Sequence, residues 1–135
     1  MQALMLAAGM GRRLGKYTEA MTKCMISVGG CTLLERTVDA LKEAGIRKFV
    51  MVVGWEANKL VNFIRDNIRD MEFEFVYNHD YATTNNIYSL YLAKEHLLCD
   101  DTILLESDLV YDQSLLRRMV EASEEDLVAV APYEQ

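Results

Sequence analysis

Gln2-Ala3-Leu4-Met5-Leu6-Ala7-Ala8-Gly9-Met10-Gly11-Arg12-Arg13-Leu14 is a short apolar run that breaks directly into a glycine-rich, doubly basic loop. Gln2 to Ala7 is near-continuously apolar, which reads as a strand covered on both faces by helices. The run is expected to be a buried first strand rather than a secretory leader, since it is short, has no basic residues before it and is followed at once by two arginines. In the loop, glycine lets backbone N–H groups approach an oxyanion closely, and the guanidinium groups of Arg12 and Arg13 offer forked donors to phosphate oxygens. A triphosphate suits such a loop. Two other phosphate-binding patterns do not fit: Leu14 stands where G-x-G-x-x-G needs Gly or Ala, and no G-K-S/T follows.

Outward from this loop, apolar runs alternate with amphipathic stretches, the pattern of β-α-β units. Phe49 to Val53 and Thr102 to Leu105 repeat the character of the first strand and are expected beside it at the sheet's centre. Met71 to Tyr77 alternates Phe73, Phe75 and Tyr77 with Glu72 and Glu74, which predicts a half-exposed strand nearer an edge. Thr32-Leu33-Leu34-Glu35 is a capping box ahead of Leu34, Val38 and Leu41 at helical spacing, and Gly45 closes that helix. Leu60, Ile64 and Ile68 mark a second helix, and a third runs from about Asn86 to Leu97. Asp112 caps a fourth carrying Leu115, Leu116, Met119 and Val120, and Leu127 to Ala131 would be one more strand. The expected fold is therefore α/β, three-layer, with a mostly parallel Rossmann-like sheet. Residues 1–135 contain no linker or internal repeat.

With 14 Lys and Arg against 21 Asp and Glu, the net charge is −7, which argues against a nucleic-acid surface and requires any phosphate to be met locally. Three cysteines without a C-x-x-C pair, and two histidines away from zinc spacing, fit a reduced cytoplasm. The longest apolar stretches fall far short of the roughly 20 residues that span a bilayer, so no membrane partner is expected.

Thr18-Glu19-Ala20-Met21-Thr22-Lys23-Cys24-Met25-Ile26-Ser27-Val28-Gly29-Gly30 then sets a lysine before a short strand and a Gly-Gly turn. Taken alone, Lys23 is a loop lysine. Taken with the first loop, the capped helix and Ala44-Gly45-Ile46, it makes the chain closely resemble the nucleotidyltransferases that activate sugar phosphates and related alcohol phosphates. Their pattern is L-A-A-G-x-G-x-R-L, then T-x-x-x-P-K-x-M-x-x-V-x-G, then a helix ending A-G-I, and the match runs from Leu6 to Ile46. Arg12 replaces a small hydroxyl residue of that pattern. Thr22 replaces its proline, which removes a fixed φ beside Lys23.

The resemblance implies a nucleotide-diphospho-sugar transferase type of sheet and a reaction in which a phosphate monoester attacks the α-phosphorus of a nucleoside triphosphate. By position, Ala8, Gly9, Met10 and Gly11 would line the triphosphate. Arg13 would neutralise its β- and γ-phosphates and Lys23 would bridge the α-phosphate and the acceptor, with Arg12 facing water. Mg²⁺ needs a carboxylate, and Glu106-Ser107-Asp108 lies at the carboxyl end of a predicted strand, where ligands of open α/β sheets bind. The family's metal-binding aspartate falls here, so Asp108 is the expected ligand, with Glu106 second.

Tyr77-Asn78-His79-Asp80-Tyr81-Ala82-Thr83-Thr84-Asn85-Asn86-Ile87-Tyr88-Ser89-Leu90 is similar to the corresponding stretch of phosphocholine cytidylyltransferases and their aminoethylphosphonate and inositol-phosphate relatives. It implies CTP, with Asn86 and Ser89, then Asn78 and Tyr81, contacting the nucleotide. The expected activity is Mg-dependent transfer of CMP to phosphocholine or a similar small phosphate. Competing expectations are a hexose-phosphate nucleotidyltransferase and a non-catalytic nucleotide-binding module. The family places a second metal carboxylate and most of the acceptor pocket on later strands, so residues 1–135 are expected to be the N-terminal, nucleotide-binding portion of a longer domain. A free sheet edge would invite pairing into a homo-oligomer.

Overall fold

The computed structural model describes residues 1–132. In chain order its elements are β1 (Gln2–Ala7), β2 (Ser27–Val28), β3 (Cys31–Thr32), α1 (Leu33–Glu43), β4 (Lys48–Val53), α2 (Ala57–Asn67), β5 (Glu72–Tyr77), α3 (Asn86–Leu92), α4 (Lys94–Cys99), β6 (Thr102–Glu106) and α5 (Ser114–Glu121). Four strands form one parallel sheet in the order β5-β4-β1-β6, in which Leu4 faces Val50 on one side and Leu104 on the other. β2 and β3 make a separate antiparallel hairpin turned by Gly29 and Gly30, whose φ values of 62° and 83° suit the primed hairpin turns.

The pleat of β1 sorts its side chains between two apolar layers. Ala3, Met5 and Ala7 pack with Leu34, Val38 and Leu41 of α1, Leu60 and Ile64 of α2 and Leu116 of α5. Leu4, Leu6 and Ala8 pack on the opposite face with Ala93, Leu90 and Leu97 around α3 and α4. This is the expected α/β three-layer fold. The capping box forms: Thr32 accepts from the Glu35 N–H, and Glu35 accepts from the Thr32 N–H at 2.8 Å. No described helix is long and apolar enough to cross a membrane.

Three expectations are corrected. Thr102 to Leu105 is an edge strand among the described residues, not a central one. Among the described strands it pairs only with β1, and Leu104 is 50% exposed. The third helix is two helices, broken where Ala93 leaves helical geometry at φ −91° and ψ 8°. Residues 127–131 form no strand; they are exposed and irregular, with Val128 and Val130 unburied. An apolar run becomes a strand only where a neighbour supplies its ladder, and none of the described strands pairs with this one.

Candidate active site

Because the four main strands are parallel, the segments after β1, β4, β5 and β6 all emerge at one end of the sheet. β4 and β6 flank β1, so the chain reverses direction across the sheet at β1, and the crevice at such a reversal is where open α/β sheets bind ligands.

Gly11 sits at φ 61° and ψ 34°, and a Cβ there would meet Thr18 Cγ2 at 2.8 Å and Lys23 Cγ at 3.1 Å, so this position accepts only glycine. Its carbonyl accepts the Thr18 hydroxyl at 2.6 Å and the Leu14 N–H at 3.0 Å. Gly9 differs: a Cβ there would meet nothing within 4 Å, so the fold leaves open space in front of this backbone. Residues Arg12–Tyr17 continue as tight 3-10 turns that meet at Gly15. Arg12 and Arg13 are exposed, and among the described residues neither enters an ion pair. The Arg12 guanidinium donates to the Met10 sulfur, 3.4 Å away.

Lys23 begins a single 3-10 turn, Lys23–Met25, after the buried Thr22. Thr22 has φ −77°, close to the value a proline would impose, so its backbone holds the lysine much as the patterned proline would. The Lys23 ammonium meets the Asp108 carboxylate at 3.0 Å, joining residues from two separate loops. Both side chains are about one-third exposed or more, at 32% and 40%, and pairs this open contribute at most about 1 kcal/mol. Their meeting therefore adds little stability; it places an ammonium and a carboxylate at one point beside the glycine loop. Glu106 is also exposed, two residues earlier at the end of β6.

The segment after β5 is tied down from within. Asn78 and Ser89, only 2% and 3% exposed, are bonded to each other at 3.1 Å. The Asn78 amide also donates to Thr84 Oγ1 at 3.0 Å, and its oxygen accepts from the Asp80 N–H at 2.9 Å. Together these bonds hold the loop after β5 in one shape. Asn86 is exposed at the start of α3, just after Asn85, which caps that helix by accepting from the Tyr88 N–H. Tyr81 is half-buried, its ring tilted against Trp55 at 6.1 Å between centroids. Gly54, Trp55, Tyr77, Asn78, His79 and Tyr81 line most of an open cleft of about 410 Å³.

The sequence motifs give no role to Trp55 or Gly54, and Thr18 enters them only as a pattern residue. The signal for Trp55 was its place after a glycine at a strand end. That for Gly54 was invisible, since its need for no side chain comes from three distant contacts: a Cβ would meet Tyr81 Cβ at 2.8 Å and the carbonyls of Ala8 and Asn78 at 3.0 Å each.

This loop, lysine and strand-tip aspartate lie within a match to the MobA-like NTP transferase domain that extends over residues 3–135. The chain belongs to that family. Among the relatives of this NTP transferase domain, it is 35% identical over 130 residues to CMP-5'-(3-aminopropyl)phosphonate synthase of Streptomyces rubellomurinus, covering 96% of this chain and 20% of the relative. It is 33% identical over 135 residues to CTP:phosphoglutamine cytidylyltransferase of Campylobacter jejuni, covering 96% of this chain and 52% of the relative. Among solved structures it superposes on CTP:phosphocholine cytidylyltransferase of Streptococcus pneumoniae with a TM-score of 0.68 and 34% identity, over 79% of this chain and 44% of that one. The transferase domain described here thus spans about half or less of the length of the relatives it matches.

Proposed function

We propose that this domain moves CMP from CTP to a small phosphorylated amine or alcohol, phosphocholine or a related phosphate or phosphonate, with magnesium held at Asp108 and pyrophosphate released. The observation that carries the reading is the 3.0 Å meeting of Lys23 and Asp108, with the lysine's stem packed against Gly11 of the loop. Three relatives whose names specify CMP or CTP chemistry on aminopropylphosphonate, phosphoglutamine and phosphocholine support the choice of nucleotide and acceptor class.

In this mechanism an oxygen of the acceptor's phosphate forms a bond to the α-phosphorus as the bond from that phosphorus to pyrophosphate breaks. The chain supplies position and charge rather than a nucleophile, which is what phosphoryl-type transfer needs. Backbone N–H groups from Ala8 to Gly11 line the triphosphate, using the space left open at Gly9. Arg13, free of any protein partner among the described residues, neutralises the β- and γ-phosphates, while Arg12 remains at the solvent edge. Lys23 draws together the two anions that must meet. Asn86 and Tyr81 face the base, and Asn78 and Ser89 keep their loop in place.

The metal fits the residues present. Magnesium takes one or two carboxylates and completes its shell with phosphate oxygens and water. Asp108 offers one accessible carboxylate at a strand tip, and the described residues contain no cluster of three metal-ligating groups that would form a closed cage. Bound there, magnesium would withdraw charge from the triphosphate and favour departure of pyrophosphate.

Lys23→Ala tests the reading. Pyrophosphate release from CTP and phosphocholine should fall by orders of magnitude while the far-UV circular dichroism stays native. An unchanged rate would falsify the role of Lys23. A panel of CTP, UTP, GTP and dTTP separates a cytidylyltransferase from a hexose-phosphate enzyme, and preference for any triphosphate but CTP overturns the nucleotide assignment.

A further inference from the structure

We infer that Trp55 is a positioning residue for the glycine-rich loop: it clamps that loop at both ends and sets its grip on the nucleotide's polyphosphate. The inference rests on the function proposed above and adds a residue that neither the sequence pattern nor the site's charges pointed to.

Trp55 follows β4, the strand beside β1, and it makes two hydrogen bonds to the loop from the next connection. Its backbone N–H donates to the Ala8 carbonyl at 3.1 Å, where the chain leaves β1. Its indole Nε1–H donates to the Thr18 carbonyl at 3.0 Å, where the loop's 3-10 turns end. Thr18 is 3% exposed, and its hydroxyl holds the Gly11 carbonyl at 2.6 Å. A single side chain and its own backbone thus fix the first residue of the loop, its last residue and, through Thr18, the left-handed glycine between them.

The indole has no other hydrogen-bond donor, and its ring lies tilted against Tyr81, of the segment proposed to meet the base, at 6.1 Å between centroids. Trp55 therefore joins the polyphosphate end of the site to the base end. A loop that must present several backbone N–H groups to one anion gains affinity when it is held in that shape beforehand, because ordering is not charged against binding. Only the sole tryptophan of the chain combines a ring large enough to pack on Tyr81 with a donor that reaches Thr18.

Trp55→Phe keeps a ring and deletes the indole donor; Thr18→Val keeps the shape of Thr18 and deletes the hydroxyl; Thr18→Ser restores the hydroxyl. The Leu14 and Thr18 amides, bonded to the Gly11 and Gly15 carbonyls, report the loop by hydrogen exchange without any nucleotide. In Trp55→Phe and Thr18→Val both amides should exchange about tenfold faster relative to those of β1. The Kd for CTP with magnesium should rise about five- to tenfold, the effect expected of one lost hydrogen bond. Thr18→Ser should stay within twofold of wild type, and the double variant should be little worse than either single one, because both changes release one clamp.

Unchanged loop exchange in both variants, or loosened exchange with CTP affinity unchanged, overturns the inference. So does independent, additive loss in the double variant. If Trp55→Phe does not fold, the contrast between Thr18→Val and Thr18→Ser carries the same decision. If the wild-type chain binds no CTP, the functional reading falls by itself, and the exchange measurement still decides whether Trp55 clamps the loop.

Discussion

Glycines 9 and 54 look alike in the sequence and stand in different surroundings. A Cβ at Gly9 would meet nothing within 4 Å, whereas one at Gly54 would collide with Tyr81 and with the backbone carbonyls of Ala8 and Asn78. Gly54→Ala should therefore cost about 1–3 kcal/mol in urea denaturation, the usual range for overpacking. Gly9→Ala should denature with the wild-type midpoint and bind CTP more weakly by calorimetry, because its methyl group occupies space meant for ligand. Cys24 offers a second contrast. Burial pushes its thiol from 9.0 up to about 11, against the lowering effect of the Thr22 hydroxyl, which lies 3.1 Å away. Between those two values the unfolded chain has lost the proton and the folded chain has kept it, so this group's effect is absent below pH 9 and removes stability as pH rises through the window. Cys24→Ala should flatten that alkaline decline in urea titrations from pH 8 to 11. A parallel decline in both proteins would show that other groups set it.

At the scale of elements, the hairpin and α1 form a small unit that delivers Lys23. Ile26 O accepts the Leu33 N–H, and Arg36 reaches back to the Val28 carbonyl, so the start of α1 is tied to the lysine's own turn. Thr32 and Glu35 cap the helix at that junction. Thr32→Ala should cost about 1 kcal/mol of stability, with 2 as an upper value for such caps, and thermal unfolding provides the measurement. Lys48 of β4 and Glu74 of β5 pair at 2.9 Å, and that hydrogen bond, before any other cause, holds the Glu74 carboxyl below its ordinary range. Both groups are open to water, so this pairing adds little to stability.

Across the whole molecule, two loops separated by 85 residues deliver opposite charges to one point. This happens because β1 and β6 are neighbours in a parallel sheet and both run toward the same end. Asp108→Asn should change the free energy of unfolding by no more than about 1 kcal/mol, the ceiling for an exposed pair. The same variant should lose most magnesium-dependent pyrophosphate release. A large loss of stability with activity retained would make the pair structural and overturn the proposed role of Asp108 in holding magnesium. The net charge of −7 leaves the two arginines and the lysine as a local basic spot on an acidic molecule, which suits a small polyanion and not a nucleic-acid backbone.

Local chemistry made much of this readable from the sequence. Apolar runs bounded by turns gave β1 and β4, the period of Leu34, Val38 and Leu41 gave α1, and Thr32 with Glu35 gave its cap, because each depends on neighbours a few residues away. The glycine-rich loop is readable in the same way, whereas Lys23 and Asp108 stand out in the sequence only through the resemblance to a family pattern. Strand order was not legible: Thr102 to Leu105 has the composition of a central strand, but the number of neighbours a strand acquires depends on the whole sheet. The burial of Asn78 and Ser89, the clamp from Trp55 through Thr18, and the crowding at Gly54 were likewise decided only when distant segments packed together. Short-range patterns determine which elements form and which chemistry they carry; contacts between distant segments decide which of those groups face the ligand and which hold the others in place.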